Sequence, residues 1–177
     1  MDEALKQKVL PLFGKPGNVI ENEAGEMLTY AYGASGIARY VLDAQNTPVP
    51  EMSLLLPSAS ALGASWDVDL AQRAGILLAI EAKEKGINAV IAPKMNLKRN
   101  KLDGGAYENF SEDPCLSGTL AGYFSLGLEE NGVASCLGEF CLAGREFSAS
   151  SCSAEIAARP LHELYLVNFA YALQVHQ

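Results

Sequence analysis

Glu139 and Lys94 are charged side chains that directly follow short apolar runs, Glu139 behind "GVASCLG" and Lys94 behind "GINAVIAP". A carboxylate and an ammonium in such places can serve as an acid/base group and an electrostatic stabiliser, or can pair with one another. Lys94 also opens a basic stretch with Lys98, Arg99 and Lys101, so a plain surface lysine is the competing reading. Tyr32, Ser65 and Asn96 stand at the ends of comparable runs and are candidate ligand contacts, with Tyr107 as a second tyrosine to line a comparatively apolar pocket. Cys136 and Cys141 flank Glu139, but a thiolate nucleophile needs a base beside it, and His162 and His176 both fall in the last helical segment. Buried, inert thiols and helix-surface histidines are the expectation. Cys115, Cys136, Cys141 and Cys152 fit no zinc spacing, and the glycines of "GREF" and "GGAYE" follow no strand–turn–helix phosphate pattern, so neither a metal nor a cofactor is expected.

The elements that must position these residues follow from periodicity. Met27 to Tyr32, Leu62 to Ser65, Ile87 to Pro93 and Gly132 to Phe140 read as short buried strands. Helices are predicted over Asp2 to Leu12, over Asp67 to Lys85 with Asp67 as N-cap and Gly86 as terminator, over Pro114 to Leu128, and over Pro160 to Gln174. The small residues Ser117, Gly118, Ala121 and Gly122 would let the third helix lie close on a sheet. Strand and helix alternate, which implies right-handed βαβ units, a parallel sheet and covering helices, with sites at the C-terminal strand ends. A closed eight-stranded barrel takes about 250 residues, so this α/β chain amounts to a half, TIM-like (β/α) barrel forming one domain over residues 1–177. Asp43 to Ser60, with Pro48, Pro50 and Pro57, reads as a long loop.

Composition narrows the partners. With 49% hydrophobic and 19% charged residues the chain has a globular core to bury, and a net charge of −8 repels nucleic acid and anionic membrane surfaces. A neutral small molecule or another protein fits better. The N-terminal "MDEALKQKVL" lacks the apolar stretch of a secretory signal and no run is long enough to span a membrane, so a cytoplasmic location with free thiols is expected.

Four stretches between Leu56 and Phe169 carry a family resemblance: "LPSASALGASWDVDLA", "GINAVIAPKMNL", "GGAYENFSEDPCLSGTLAGYFSLGL", and "GVASCLGEFCLAGREF" followed by "ARPLHELYLVNF". Residues 56–177 resemble the N-terminal barrel domain of family 3 glycoside hydrolases, the β-glucosidases. Residues 1–55 match loosely, chiefly around Gly33 and Gly36. The resemblance implies sugar contacts that this chain replaces. Tyr32 stands where the family's first loop has an aspartate, Ala106 where an arginine follows "GG", and Gly138, Glu139 and Phe140 replace a "KHF" triplet. It also implies a nucleophilic aspartate and a general acid encoded beyond Gln177, so neither of the two carboxyl groups that retaining hydrolysis holds about 5 Å apart is expected in this sequence.

Trp66, Asp67, Asn96, Glu108, Glu112 and Asp113 are family-like and are assigned to the scaffold. Glu139 introduces a carboxylate where the family has an imidazole, and Arg145 and Glu146 fall in a loop that in the family closes over the sugar. The functional expectation is a repurposed enzyme carrying out cyclisation, isomerisation or elimination in secondary metabolism through Glu139 and Lys94. The alternatives are a non-catalytic remnant that binds a ligand or partner, and residual hydrolysis with carboxylates from another chain. An open half barrel exposes strand edges, so a homodimer is expected to cover it.

Overall fold

The computed structural model describes residues 19–21, 27–100, 102–142 and 155–176. The predicted helix over Asp2 to Leu12 lies outside them. β1 (Val19–Glu21) pairs antiparallel with β2 (Met27–Tyr32), where Ala31 is buried and Tyr32 exposed. The chain then forms a two-stranded ribbon, β3 (Tyr40–Leu42) against β4 (Pro48–Pro50), within the stretch expected to be loop. The Asp43 carboxylate closes its turn by accepting from the Gln45 and Thr47 amides at 2.9 and 2.8 Å, with Asn46 left-handed at φ 61°. Pro48 and Pro50 are tolerated because a short edge ribbon leaves their missing N–H groups without consequence.

The run Leu62 to Ser65 is helical rather than a strand. It belongs to α1 (Ala59–Ser65), which Ser58 caps by accepting from the Ala61 amide at 3.2 Å and which Trp66 ends at φ 57°. A short run of small and apolar residues is compatible with either state, and the serine cap decides it. β2 therefore pairs directly with β5 (Ala89–Ile91), and β5 with β6 (Ala134–Ser135), both in parallel. The sheet order is β1-β2-β5-β6.

α2 (Val68–Glu84) runs between the ribbon and β5, and α3 (Pro114–Glu129) between β5 and β6. Asp67, as predicted, and Asp113 cap them through the Leu70 and Leu116 amides at 3.0 and 2.7 Å. The core is built from Leu62, Leu78, Val90, Leu120, Phe124 and Leu128, with Phe110 edge-on to Phe124. The small residues of α3 serve helices rather than the sheet. Gly118 and Gly122 admit the backbone of α4 (Val167–Gln174) at Asn168 and Ala172, while Gly127 admits α2 at Gln72. The predicted last helix is thus present, but Leu161–Leu166 winds as a π-helix before α4, a departure for which nothing in that sequence gives a signal. Among the described residues no helix is long and apolar enough to cross a membrane.

Residues 51–54, which follow β4, are fastened to α2 by charge. Lys85 Nζ lies 2.8 Å from Glu81 Oε1 and donates to the Met52 carbonyl at 2.5 Å, and the Leu54 amide donates to Glu81 Oε1 at 3.2 Å. Burial pushes the Glu81 carboxyl up, but the Lys85 ammonium, the Ser53 hydroxyl and the Leu54 amide outweigh it and hold the group below its ordinary value. The native state then binds fewer protons than the unfolded chain near that value. Stability from this latch is complete above the ordinary glutamate pKa and is lost as pH falls through the lower, folded one. In urea melts between roughly pH 6 and pH 3, the wild-type midpoint is expected to drop more steeply than that of Glu81→Gln; parallel pH dependences would contradict the latch.

Candidate functional site

Beyond β5 the chain stays extended and extends the parallel pairing on both sides. Lys94 bridges to Gly138 on one side and to Asn109 on the other, the Gly138 amide donates to the Pro93 carbonyl at 3.1 Å, and the Lys98 amide donates to Ser111 at 3.2 Å. This register places three charged side chains together at the C-terminal end of the sheet.

Lys94 Nζ lies 2.5 Å from Glu108 Oε2 and 3.2 Å from Glu139 Oε1. The Asn96 amide donates to Glu139 Oε2 at 2.8 Å, so both Glu139 oxygens are engaged by donors. The Lys94 and Glu108 side chains are 23% and 22% exposed and Glu139 is 44% exposed, which leaves Glu139 as the member open to a ligand. Burial pulls the Lys94 ammonium down, yet its hydrogen bonds to Glu108 and Glu139 and their negative charges outweigh this and lift it above the ordinary lysine value. It is a fixed cation, not an amine nucleophile. Further along, burial pulls the Lys98 ammonium below its ordinary value.

The candidates named from the sequence divide. Lys94, Asn96 and Glu139 are brought together. Tyr32 ends β2 and Tyr107 lies on the 3-10 turn Ala106–Glu108, both more than half exposed. Ser65 is not at a strand end: it closes α1, donating to the Leu62 carbonyl at 2.6 Å and accepting from the Asp67 amide at 3.2 Å, so its hydroxyl serves the helix terminus. Arg145, Glu146 and Cys152 lie outside the described residues. Cys136 is exposed rather than buried, because its amide continues the pairing to the Val90 carbonyl at 2.9 Å while the next residue, Leu137, is the one that packs against the core; Cys115 and Cys141 are also free thiols. His162 is exposed, while His176 Nδ1 lies 3.3 Å from Glu129 Oε2.

Glu108 was assigned to the scaffold by sequence, and its pairing with Lys94 depends on the Lys94–Asn109 bridge, which no local pattern announces. Among the described residues no three His, Cys, Asp or Glu side chains gather to hold a metal ion. What the arrangement offers is a charged proton acceptor, an adjacent fixed cation and an amide that orients the acceptor, with Tyr107 and Phe140 next in sequence to Glu108 and Glu139 and both exposed. The Phe140 ring is itself braced edge-on by Phe169 at 5.0 Å.

Residues 45–175 match the model of the glycosyl hydrolase family 3 N-terminal domain. The chain is 39% identical over 119 residues to a probable beta-glucosidase I of Emericella nidulans, an alignment covering 67% of this chain and 14% of that protein. A putative beta-glucosidase of Schizosaccharomyces pombe is 40% identical over 120 residues, again 14% of its length. Among solved structures, beta-glucosidase from Kluyveromyces marxianus aligns with a TM-score of 0.85 at 25% identity, over 98% of this chain and 20% of that one. Beta-glucosidase 3B from Thermotoga neapolitana, in complex with alpha-D-glucose, aligns with a TM-score of 0.80 at 26% identity, over 90% of this chain and 23% of that one. The chain thus spans a small part of the length of the proteins it resembles.

Proposed function

The chain belongs to glycosyl hydrolase family 3, as part of its N-terminal domain, and on that premise we propose that its strand-end site performs proton transfer on a small organic molecule. Glu139 accepts the proton, Lys94 holds the negative charge that develops on a neighbouring ligand oxygen, and Asn96 keeps the carboxylate oriented. Return of the proton to a different atom gives isomerisation; loss of a leaving group gives elimination, and internal capture gives cyclisation. Tyr32 and Tyr107 supply ring faces for the ligand, with Arg145 and Glu146 as further contacts. The observation that carries the reading is the Lys94–Glu139 contact with its Asn96 clamp. The substitutions at Tyr32, Ala106, Gly138 and Glu139, where the family resemblance implies polar sugar contacts, support a changed substrate.

The test is conversion of a panel of small carbonyl and hydroxyl compounds by wild type, Glu139→Gln and Lys94→Ala. Binding without conversion would leave a ligand-binding remnant instead. A second reading, β-glucosidase-type hydrolysis, is favoured by the names of the relatives and by the glucose bound to a structural neighbour. Hydrolysis of nitrophenyl β-glucoside decides for it.

Our reading includes a homodimer in the cytosol, where Cys115, Cys136 and Cys141 stay thiols. The dimer is motivated by Leu70, Leu77 and Ile80, exposed along one side of α2, and by Met27 and Leu28 on β2. Sedimentation equilibrium at micromolar concentration is expected to give twice the 18.8 kDa chain mass. A stable monomer would overturn it.

A further inference from the structure

The ribbon of β3 and β4 has one edge closed to further pairing and one left open. The Glu51 amide donates to the Arg39 carbonyl at 2.9 Å, and the Asp43 amide to that of Thr47 at 3.0 Å. Antiparallel bonding alternates along a strand, so with Val41 set against Val49 the backbone groups of Arg39, Val41 and Asp43 serve β4, and those of Tyr40 and Leu42 face away from it. The outward positions on β4 are Pro48 and Pro50, which carry no N–H, so that edge offers no donor to another strand. On β3 the outward residues each keep a donor and an acceptor, and Tyr40 and Leu42 are 72% and 62% exposed. Among the described residues no backbone group bonds to these outward ones.

We propose that the β3 edge binds the β3 edge of a second copy of this chain, antiparallel about a two-fold axis at Val41. In that register Tyr40 lies opposite the partner's Leu42, and each such pair exchanges both N–H···O=C bonds. The same register sets Arg39 opposite the partner's Asp43, and a slip of one residue would separate these charges. Both side chains have capacity left. The Asp43 turn uses only Oδ1, while Arg39 gives Nη1 to the Lys85 carbonyl at 2.6 Å and holds Glu51 more loosely at 3.7 Å. A two-fold contact needs a surface complementary to itself. The run from Arg39 through Tyr40, Val41 and Leu42 to Asp43 has that property, cation at one end and anion at the other with apolar residues between. This inference rests on the homodimer reading above and gives the dimer an interface apart from α2 and β2.

Disulfide trapping of the full chain tests the register. Val41 would face its own copy in a pair without mutual hydrogen bonds, where opposed Cα atoms are about 4.5 Å apart, within reach of a disulfide. Tyr40 and its copy would be offset by two residues, about 7 Å along the strand before the gap between strands is added, which is beyond that reach. In oxidised glutathione Val41→Cys is expected to give a reducible dimer that neither wild type, with its native thiols, nor Tyr40→Cys gives. Leu42→Pro removes an outward N–H and none that β4 uses. It is expected to weaken the dimer at least about tenfold in sedimentation, with circular dichroism unchanged. No trapping at Val41, equal trapping at Tyr40, or a folded Leu42→Pro that dimerises like wild type would overturn the proposal; should Leu42→Pro not fold, trapping decides. A wild-type monomer would sink the dimer reading and this interface together, whereas a wild-type dimer that Val41→Cys does not trap sinks the interface alone.

Discussion

Glu139→Gln is expected to lower conversion of the true substrate at least about 100-fold, the usual loss when a positioned proton acceptor is removed. Glutamine keeps the length and one oxygen acceptor but cannot take a proton. The side chain is 44% exposed, and Lys94 keeps Glu108 as counter-ion, so folding should be nearly unaffected. Far-ultraviolet circular dichroism alongside initial rates separates lost chemistry from lost structure. Lys94→Ala should also cost about 100-fold or more, since it removes charge stabilisation while leaving the acceptor in place. Unchanged conversion in both variants would remove this site from consideration. If nitrophenyl β-glucoside is hydrolysed and that activity disappears with Glu139→Gln, the changed-substrate reading fails and the hydrolytic one stands.

Gly75→Ala should destabilise the fold by about 3 kcal/mol, the upper part of the range for forcing atoms into a packed interior. α2 and α3 cross on reciprocal glycines. A Cβ at Gly75 would run into the Phe124 carbonyl oxygen, and one at Gly127 into the Gln72 carbonyl oxygen and the Ile76 amide. Both obstacles are backbone, so no side chain can swing aside. Against a typical domain stability of about 5–15 kcal/mol this is a large fraction. Gly86→Ala is the control: its added methyl meets nothing within 4 Å but must accept φ +67°, at a cost of about 1 kcal/mol. Urea midpoints compare the two, and a Gly75→Ala protein as stable as Gly86→Ala would show that the helices do not approach so closely.

The sequence was informative where local chemistry decides structure. The aspartate ahead of Val68 announced its helix because a cap is a contact three residues long, and Pro114 announced the next by its place in the first turn. Met27–Tyr32 was legible as a strand from its bounds and apolar content. Leu62–Ser65 was misread because a run of seven small or apolar residues has no period of its own. The ribbon between Tyr40 and Pro50 was missed because two prolines argue against strands in general, although not at an edge. The family and its α/β fold were legible in motifs around Phe110–Gly118, which the match over residues 45–175 supports. At the site, Lys94 and Glu139 were visible as strand-end charges. Glu108 was not, since its place beside Lys94 is created by pairing between segments that lie apart along the chain.

The direct pairing of β2 with β5 has a consequence for how the sheet can open. Tyr30 and Ala89 are partners across the ribbon and two helices, so their contact closes a long loop. Within the stretch from Val68 to Ser135, α2, β5, α3 and β6 follow one another, and β5 pairs with β6 with one helix between them. β2 joins that stretch only through its pairing with β5 and brings the ribbon and α1 with it as the connecting segment, so it is the sheet strand of longest reach on β5. Lys94, Glu108 and Glu139 are carried by that stretch and its immediate continuation, whereas Tyr32 rides on β2. Local opening that releases β2 would therefore carry Tyr32 away while leaving Lys94, Glu108 and Glu139 in register.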